Sequence, residues 1–291
     1  MAELKLSETI HPSTREQERF DALIGIEVQK QRLQDELLLL LAPERLKPWL
    51  KKHHPKGLPL TEVAGKTSPL VLLSGEVGCG KTALATTIAT PVARELGEKI
   101  HVLETPSNIR GTGLVGELSS RVTDAFTQAK VRVGKGYGLL VIDEADDLAL
   151  SRAESQAHHE DRAGLNVLLK QLDMLARERS RLAVIMITNR ASSLDPAVTR
   201  RAALLLEFTR PGRAERQHLF ERLLEGVSHT QTDIEELVKR SEREVPYSYS
   251  DLTQRVARAA LLDSWRVNVP FGPDSLLAAL DRVEPSPPMP G

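Results

Sequence analysis

One cysteine, Cys79, stands among the 291 residues, so no disulfide can close within the chain and a reducing compartment is its natural setting. Aromatic residues make up only 3% of the sequence, which leaves Leu, Val, Ala and Ile to build the core. No sign of charge prevails: 39 Lys and Arg face 40 Asp and Glu, for a formal net charge of -1. A protein that grips a duplex through its phosphates shows a basic excess or a basic stripe, and neither is visible, which argues against nucleic acid as a partner. The longest apolar block, Leu37 to Ala42, is far too short to cross a bilayer. The polar stretch from Met1 to Arg19 lacks the apolar core of a signal peptide. These absences predict a cytoplasmic protein with no membrane attachment.

What is present organises into parts. Residues 1–20 read as a flexible leader. A helix is expected from about Glu27 to Leu41, entered through the turn Ile24-Gly25-Ile26, and Pro43, Pro48, Pro55 and Pro59 mark a loop-rich connector. Short apolar runs then alternate with helical patterns. The expected strands are Pro69–Ser74, His101–Glu104, Leu139–Ile142, Ala183–Thr188 and Ala203–Phe208. Between them, Val122, Ala125, Phe126, Ala129 and Val133 repeat at helical spacing, as do Leu165, Leu168, Leu169, Leu172 and Leu175. Such alternation implies an α/β fold, a parallel five-stranded sheet flanked by helices, within a large domain over 21–211. After Pro211-Gly212 the strands stop, and four helical patterns predict a small all-helical domain over 212–283, followed by a loose Pro-rich tail over 284–291.

The strongest chemical signal is Gly75-Glu76-Val77-Gly78-Cys79-Gly80-Lys81-Thr82, which fits G-x-x-x-x-G-K-S/T. A triphosphate needs several backbone N–H groups turned onto one anion, a helix N-terminus, a lysine for the β and γ phosphates and a hydroxyl for Mg²⁺. The run Leu70-Val71-Leu72-Leu73 before the loop and the helical pattern opening at Lys81 supply the required strand–loop–helix context. A second signal is Leu139-Leu140-Val141-Ile142-Asp143-Glu144, an apolar strand ending in two acids. Paired with the glycine loop it reads as a Walker B strand: Asp143 would join Thr82 in holding Mg²⁺, and Glu144 would polarise the attacking water. Asp146 and Asp147 read as solvated loop residues, and so do the pairs His53-His54 and His158-His159.

Together these residues resemble the AAA+ family of P-loop ATPases, and the resemblance implies further assignments. Asn189, ending the strand Ala183–Thr188, stands at the sensor 1 position, where it would help place the water near the γ-phosphate. Leu194-Asp195-Pro196-Ala197-Val198-Thr199-Arg200-Arg201 resembles the segment of the arginine fingers, which reach into a neighbouring subunit's ATP site; Arg201 is the expected finger, with Arg200 the alternative. The turn Ile24-Gly25-Ile26 joins the nucleotide-binding set. The loop from Ile109 to Glu117 resembles the pore loop of protein-translocating members, with Leu114 where those carry an aromatic and Val115 following it; Arg152 to Arg162 stands where a second pore loop would lie. Ser248-Tyr249-Ser250-Asp251-Leu252 resembles the sensor 2 motif, but Ser250 stands where many relatives place arginine, and Arg255 lies about one turn on.

The stretch Ser107-Asn108-Ile109 to Glu117, the segment from Asp143 to Arg152 and the spacing from Thr188-Asn189 to Arg201 resemble the pachytene-checkpoint type of AAA+ ATPase, remodellers of HORMA-domain proteins. The compact form is similar to bacterial members tied to cyclic-oligonucleotide antiphage signalling. The implied activity is ATP hydrolysis by a ring of identical subunits, a hexamer, that disassembles a HORMA–nucleotidyltransferase complex. Two other readings stay open at this point: a nucleic-acid-linked loader or initiator, and a nucleotide-switched adaptor that threads nothing.

Overall fold

The computed structural model describes residues 4–61, 67–106, 109, 116–148 and 159–288. These fall into two compact units, one within 1–20, 28–74 and 82–207 and the other within 21–27, 75–81 and 208–291.

The first unit is built on a sheet of six strands, β1 (Ser7–His11), β2 (Leu70–Gly75), β3 (Ile100–Glu104), β4 (Tyr137–Ile142), β5 (Leu182–Thr188) and β6 (Leu204–Phe208), in the order β1-β3-β4-β5-β2-β6. The pairs β3–β4, β4–β5 and β2–β5 are parallel. β4 and β5 are buried along their whole length, as near-continuous apolar runs must be where helices cover both faces of a parallel sheet. All five expected strands are present within a residue or two of their expected bounds.

The sixth strand corrects the expectation of a flexible leader. Residues 7–11 pair antiparallel with β3, Thr9 opposite Val102 and Ile10 opposite His101, and a helix, α1 (Thr14–Asp21), follows. The sequence Ser-Glu-Thr-Ile-His carries no apolar alternation to announce a strand. It is held by backbone pairing and by side groups: Leu4 and Leu6 are buried, His11 Nδ1 lies 2.7 Å from Thr90 Oγ1, and Glu8 meets both His101 and Arg132. The connector after α2 (Glu27–Leu41) also has structure, a helix α3 (Leu46–His53) on which Trp49 packs against His53 and His54, ring centroids 5.6 and 5.0 Å apart. His53 is exposed, as expected of a solvated residue, and His54 is half-buried.

Further helices complete this unit: α4 (Lys81–Thr87), α5 (Ala89–Leu96), α6 (Glu117–Val133), α7 (His159–Glu178) and the short α8 (Pro196–Thr199). α6 and α7 pack on one another through the two apolar stripes read from the sequence, with Phe126, Leu165, Leu168, Leu172 and Leu175 fully buried. Because β2, β4 and β5 run parallel, the residues that follow them emerge at one edge of the sheet, where open α/β folds place their ligands.

The second unit holds α9 (Arg213–Leu223), α10 (Gln231–Arg240), a π-helical turn (Asp251–Ala257) continuing into α11 (Arg258–Arg266), and α12 (Pro273–Arg282). Its core gathers Leu219, Phe220, Ile234, Leu237, Tyr247, Leu252, Val256, Leu276 and Leu280. The Tyr247 hydroxyl donates to Val283 O at 2.6 Å. The tail expected to be loose is pinned at Ser286, whose N–H and hydroxyl both donate to Asp251, at 3.1 and 2.7 Å. Among the described residues no helix is long and apolar enough to cross a membrane.

Candidate functional site

The glycine loop turns where the sequence allows nothing but glycine. Gly75 has φ 128, and a Cβ there would lie 2.0 Å from the carbonyl oxygen of Phe208. That same oxygen accepts the N–H of Glu76 at 3.1 Å, so the loop leaves β2 by closing onto the end of β6. Lys81, at the first position of α4, is buried, and its ammonium donates to Gly75 O at 2.7 Å and Glu76 O at 2.6 Å. The cation is thereby held over the loop by its own main-chain oxygens. Burial pushes the Cys79 thiol up to about 11, against the pull of the Lys81 charge. The group stays a neutral thiol, its Sγ 3.8 Å from Val77 O.

Two further stretches of the same unit meet this loop. The N–H of Ser250 donates to Gly78 O at 3.0 Å. The Tyr249 hydroxyl donates to Gly25 O at 2.8 Å, and the Ile26 side chain lies beside Gly80. Burial first, then the nearby Glu215, Cys79 and Glu27, raise the Tyr249 hydroxyl above its ordinary pKa, so it remains a donor. Arg210, almost wholly buried, donates to the Glu76 carboxylate at 2.6 Å, to Ser286 O at 2.8 Å and to Pro246 O. Sequence reasoning singled out the turn Ile24-Gly25-Ile26 and placed Tyr249 in a sensor 2-like stretch, but it missed the bond between Tyr249 and Gly25 and missed Arg210. The one available signal for Arg210 was its place at the end of a strand just before Pro211-Gly212.

At the ends of β4 and β5, in the first unit, the structure gathers the expected acids. The Thr82 hydroxyl donates to Asp143 Oδ2 at 2.8 Å, and Asp143 Oδ1 accepts the N–H of Glu144, also at 2.8 Å. Glu144 sits at φ 53, a left-handed conformation that costs a non-glycine residue about 1–3 kcal/mol and that clusters at functional sites. Its side chain is exposed. Asp146 is not solvated as expected: Thr188 Oγ1 donates to its Oδ1 at 2.9 Å and in turn accepts the N–H of Arg190 at 2.9 Å. The bond ties the ends of β4 and β5 together beside the half-buried Asn189. Glu104, ending β3, is raised above the usual carboxylate range by burial, opposed by Arg19 and reinforced by Glu16 and Asp143.

The two candidate fingers part company. Arg201 is engaged within its own unit: Nε donates to Asp173 Oδ1 at 2.9 Å, Nη2 to Oδ2 at 3.2 Å and Nη1 to Ala197 O at 3.0 Å. Arg200, the C-cap of α8, is exposed and has no ion pair among the described residues. Leu114 and Val115, with most of their loop, lie outside the described residues, as do Arg152 to His158.

Arg255 is also committed, its guanidinium 2.7 Å from Asp251 Oδ1. Asp251 is buried, and desolvation alone would raise it. The N–H groups of Ser248 and Ser286, the Ser286 hydroxyl and Arg255 outweigh that and hold its carboxyl well below the ordinary range. A carboxylate with a depressed folded pKa stabilises above its unfolded value of about 3.9, and that contribution is lost as pH falls through the folded value. Asp251→Asn is therefore expected to lower stability by about 2 kcal/mol at pH 7, with the gap to wild type closing below about pH 4. Urea unfolding of both proteins at pH 7 and at pH 3 checks this; a gap that does not change with pH counts against it.

The family described as "ATPase family associated with various cellular activities (AAA)" matches residues 71–210. CD-NTase-associated protein 6 of Escherichia coli (strain MS 115-1) is 39% identical, over 95% of this chain and 93% of that relative. A chain of the solved "HORMA:CdnC:Trip13 complex" of E. coli MS115-1 superposes with a TM-score of 0.91 at 37% identity, covering 98% of this chain and 97% of that one. Rhizobiales Trip13 superposes with a TM-score of 0.77 at 32% identity, over 97% of this chain and 99% of that one. With the glycine-loop geometry, the acids ending β4 and a likeness that runs nearly the whole length, this chain belongs to the AAA ATPase family, in its Trip13-like branch.

Proposed function

We propose that the chain is an ATP-hydrolysing subunit of a homohexameric ring in the cytoplasm, which disassembles a HORMA-domain protein from a nucleotidyltransferase and so keeps cyclic-oligonucleotide antiphage signalling silent. The observation that carries the ATPase reading is the Thr82–Asp143 pair with Glu144 adjoining it. The partner reading is supported by the likeness to a Trip13 chain solved together with HORMA and CdnC.

The residues fit ATP and Mg²⁺. Thr82 and Asp143 place a hydroxyl and a carboxylate oxygen 2.8 Å apart, both of them hard donors. Bound there, Mg²⁺ would supply charge neutralisation for the β and γ phosphates. The Lys81 ammonium would exchange Gly75 O and Glu76 O for phosphate oxygens, and the loop N–H groups of Gly78, Cys79 and Gly80 would close on the same anion. Glu144 orients and deprotonates the attacking water, and Asn189 helps to fix that water. Arg200 is the finger best placed to leave its own subunit, since Arg201 is held by Asp173. A cation delivered beside the transferring phosphoryl group is worth roughly 10³–10⁵ in rate. Leu114 and Val115 grip the substrate chain by covering apolar surface, at roughly 25 cal/mol per Å².

Glu144→Gln keeps the backbone and the Mg²⁺ donors, so ATP affinity should stay within a few-fold while turnover falls by about 10²–10⁴. The same variant should hold a HORMA–nucleotidyltransferase complex without separating it. Wild-type turnover in this variant overturns the role of Glu144. A ring stimulated by nucleic acid and indifferent to the HORMA complex makes the loader reading the better one.

Rings mixed from Arg200→Ala/Arg201→Ala and Lys81→Ala subunits, each inactive alone, should regain partial ATPase activity, because some interfaces then join an intact loop to an intact finger. Single replacements will separate the two arginines, with the larger loss expected at Arg200. No recovery in rings proven to be mixed counts against a finger in trans.

Leu114→Ser/Val115→Ser should leave ATP turnover within a few-fold of wild type and abolish disassembly, both measured on one preparation. Persisting disassembly would transfer the role to a conformational adaptor that threads nothing.

A further inference from the structure

Three stretches of the second unit converge: the turn at 24–26, the phosphate loop at 75–81 and the start of the π-helical turn at 248–251. We propose that Tyr249 is a positioning residue for the nucleotide: its hydroxyl, bonded to Gly25 O, fixes the turn Ile24-Gly25-Ile26 beside the phosphate loop, so that this segment supports ATP and ADP alike without reading the γ-phosphate. The proposal rests on Gly75 to Thr82 being the phosphate loop.

The fit at Gly25 is specific. Its φ is +79, and a Cβ there would lie 2.6 Å from both Cε1 and the hydroxyl oxygen of Tyr249. The tyrosine ring fills the space a side chain would need, and its hydroxyl takes up the adjoining carbonyl at 2.8 Å. Ring and glycine are matched to each other.

The next residue makes the second half of the clasp. The Ser250 N–H reaches Gly78 O at 3.0 Å, so consecutive residues hold the two sides of the site, Tyr249 the turn and Ser250 the loop. Asp251 follows, its carboxylate satisfied by Ser248, Ser286 and Arg255, which leaves the pair little freedom to swing away. This stretch offers no cation of its own to a phosphate. Ser250 is neutral, and the Arg255 guanidinium is taken by Asp251. Its contact with the loop is made by main chain to a carbonyl of residue 78, a group that both nucleotides leave in place. A turn held in advance spares the ligand the cost of ordering it, and that saving is the same for ATP and ADP.

The test measures the dissociation constants of ATP and ADP by calorimetry on full-length wild type, Tyr249→Phe and Lys81→Ala, with steady-state ATPase kinetics and nucleotide-free thermal unfolding alongside. Phenylalanine keeps the ring and removes only the hydroxyl. Both nucleotides are expected to bind Tyr249→Phe about 3- to 10-fold more weakly, with the ATP-to-ADP ratio unchanged, KM raised to match and kcat within a factor of about two. Three results would overturn the proposal: unchanged affinities, a loss confined to ATP, and a lowered unfolding temperature with both affinities intact, which is the mark of a purely structural tyrosine. Nucleotide binding that survives intact in Lys81→Ala would instead remove the phosphate-loop reading beneath it, so the two failures are distinguishable.

Discussion

A carboxylate taken out of water has to be given donors, and much of the helical unit is arranged to give them to Asp251. The donors come from separate stretches, Ser248 before it, Arg255 one turn on, and Ser286 beyond the last helix. Meeting that demand orients residues 248–250, and those residues carry the main-chain and hydroxyl bonds to the phosphate loop and to the turn at Gly25. Arg210 works in the same manner from the opposite charge, joining the Glu76 carboxylate to the carbonyls of Pro246 and Ser286. An acid and a base, each buried and each shared among distant segments, set the geometry around the loop. Both are expensive to leave unpaired, so the arrangement has few alternatives of similar energy.

The sheet was legible because its interior strands are covered on both faces and must be apolar throughout; Leu70 to Leu73 and Ala183 to Ile187 admit little else. The glycine loop stood out for a different reason, since an anion cradle would prescribe glycines, lysine and a hydroxyl at fixed spacing. β1 gave no such sign. Ser7, Glu8 and Thr9 are chosen by pairing with β3 and by the partners of Glu8, and an edge strand held mainly by backbone bonds imposes no pattern on its side chains. The order at Ser286 was hidden likewise, because Pro-rich composition describes the local chain and not the distant carboxylate that holds it.

Within the site, what could not be read were contacts whose partner is a carbonyl or a residue far along the chain. Gly25 O, Pro246 O and Ser286 O have no signature in sequence, so the contacts of Tyr249 and Arg210 went unread. Asp146 and Asp147 look alike after β4, and only the position of Thr188, 42 residues on, shows that Asp146 is engaged. Arg200 and Arg201 are equivalent on paper until Asp173 takes one of them. In each case the residue type was compatible with several roles, and long-range geometry made the choice.

The antiparallel strand at the sheet's edge bears on what counts as the folding unit. The recognised AAA segment begins at residue 71, yet Leu4 and Leu6 belong to the same apolar core as Phe126, Leu140 and Leu165, and β1 occupies the hydrogen-bonding groups along β3. A fragment cut to the recognised segment would open a raw parallel edge and a gap in the core together. Bare edges of that kind recruit strands from other molecules. For this chain the folding unit therefore reaches back to its first strand, and the boundary of the family match is not a boundary of cooperative folding.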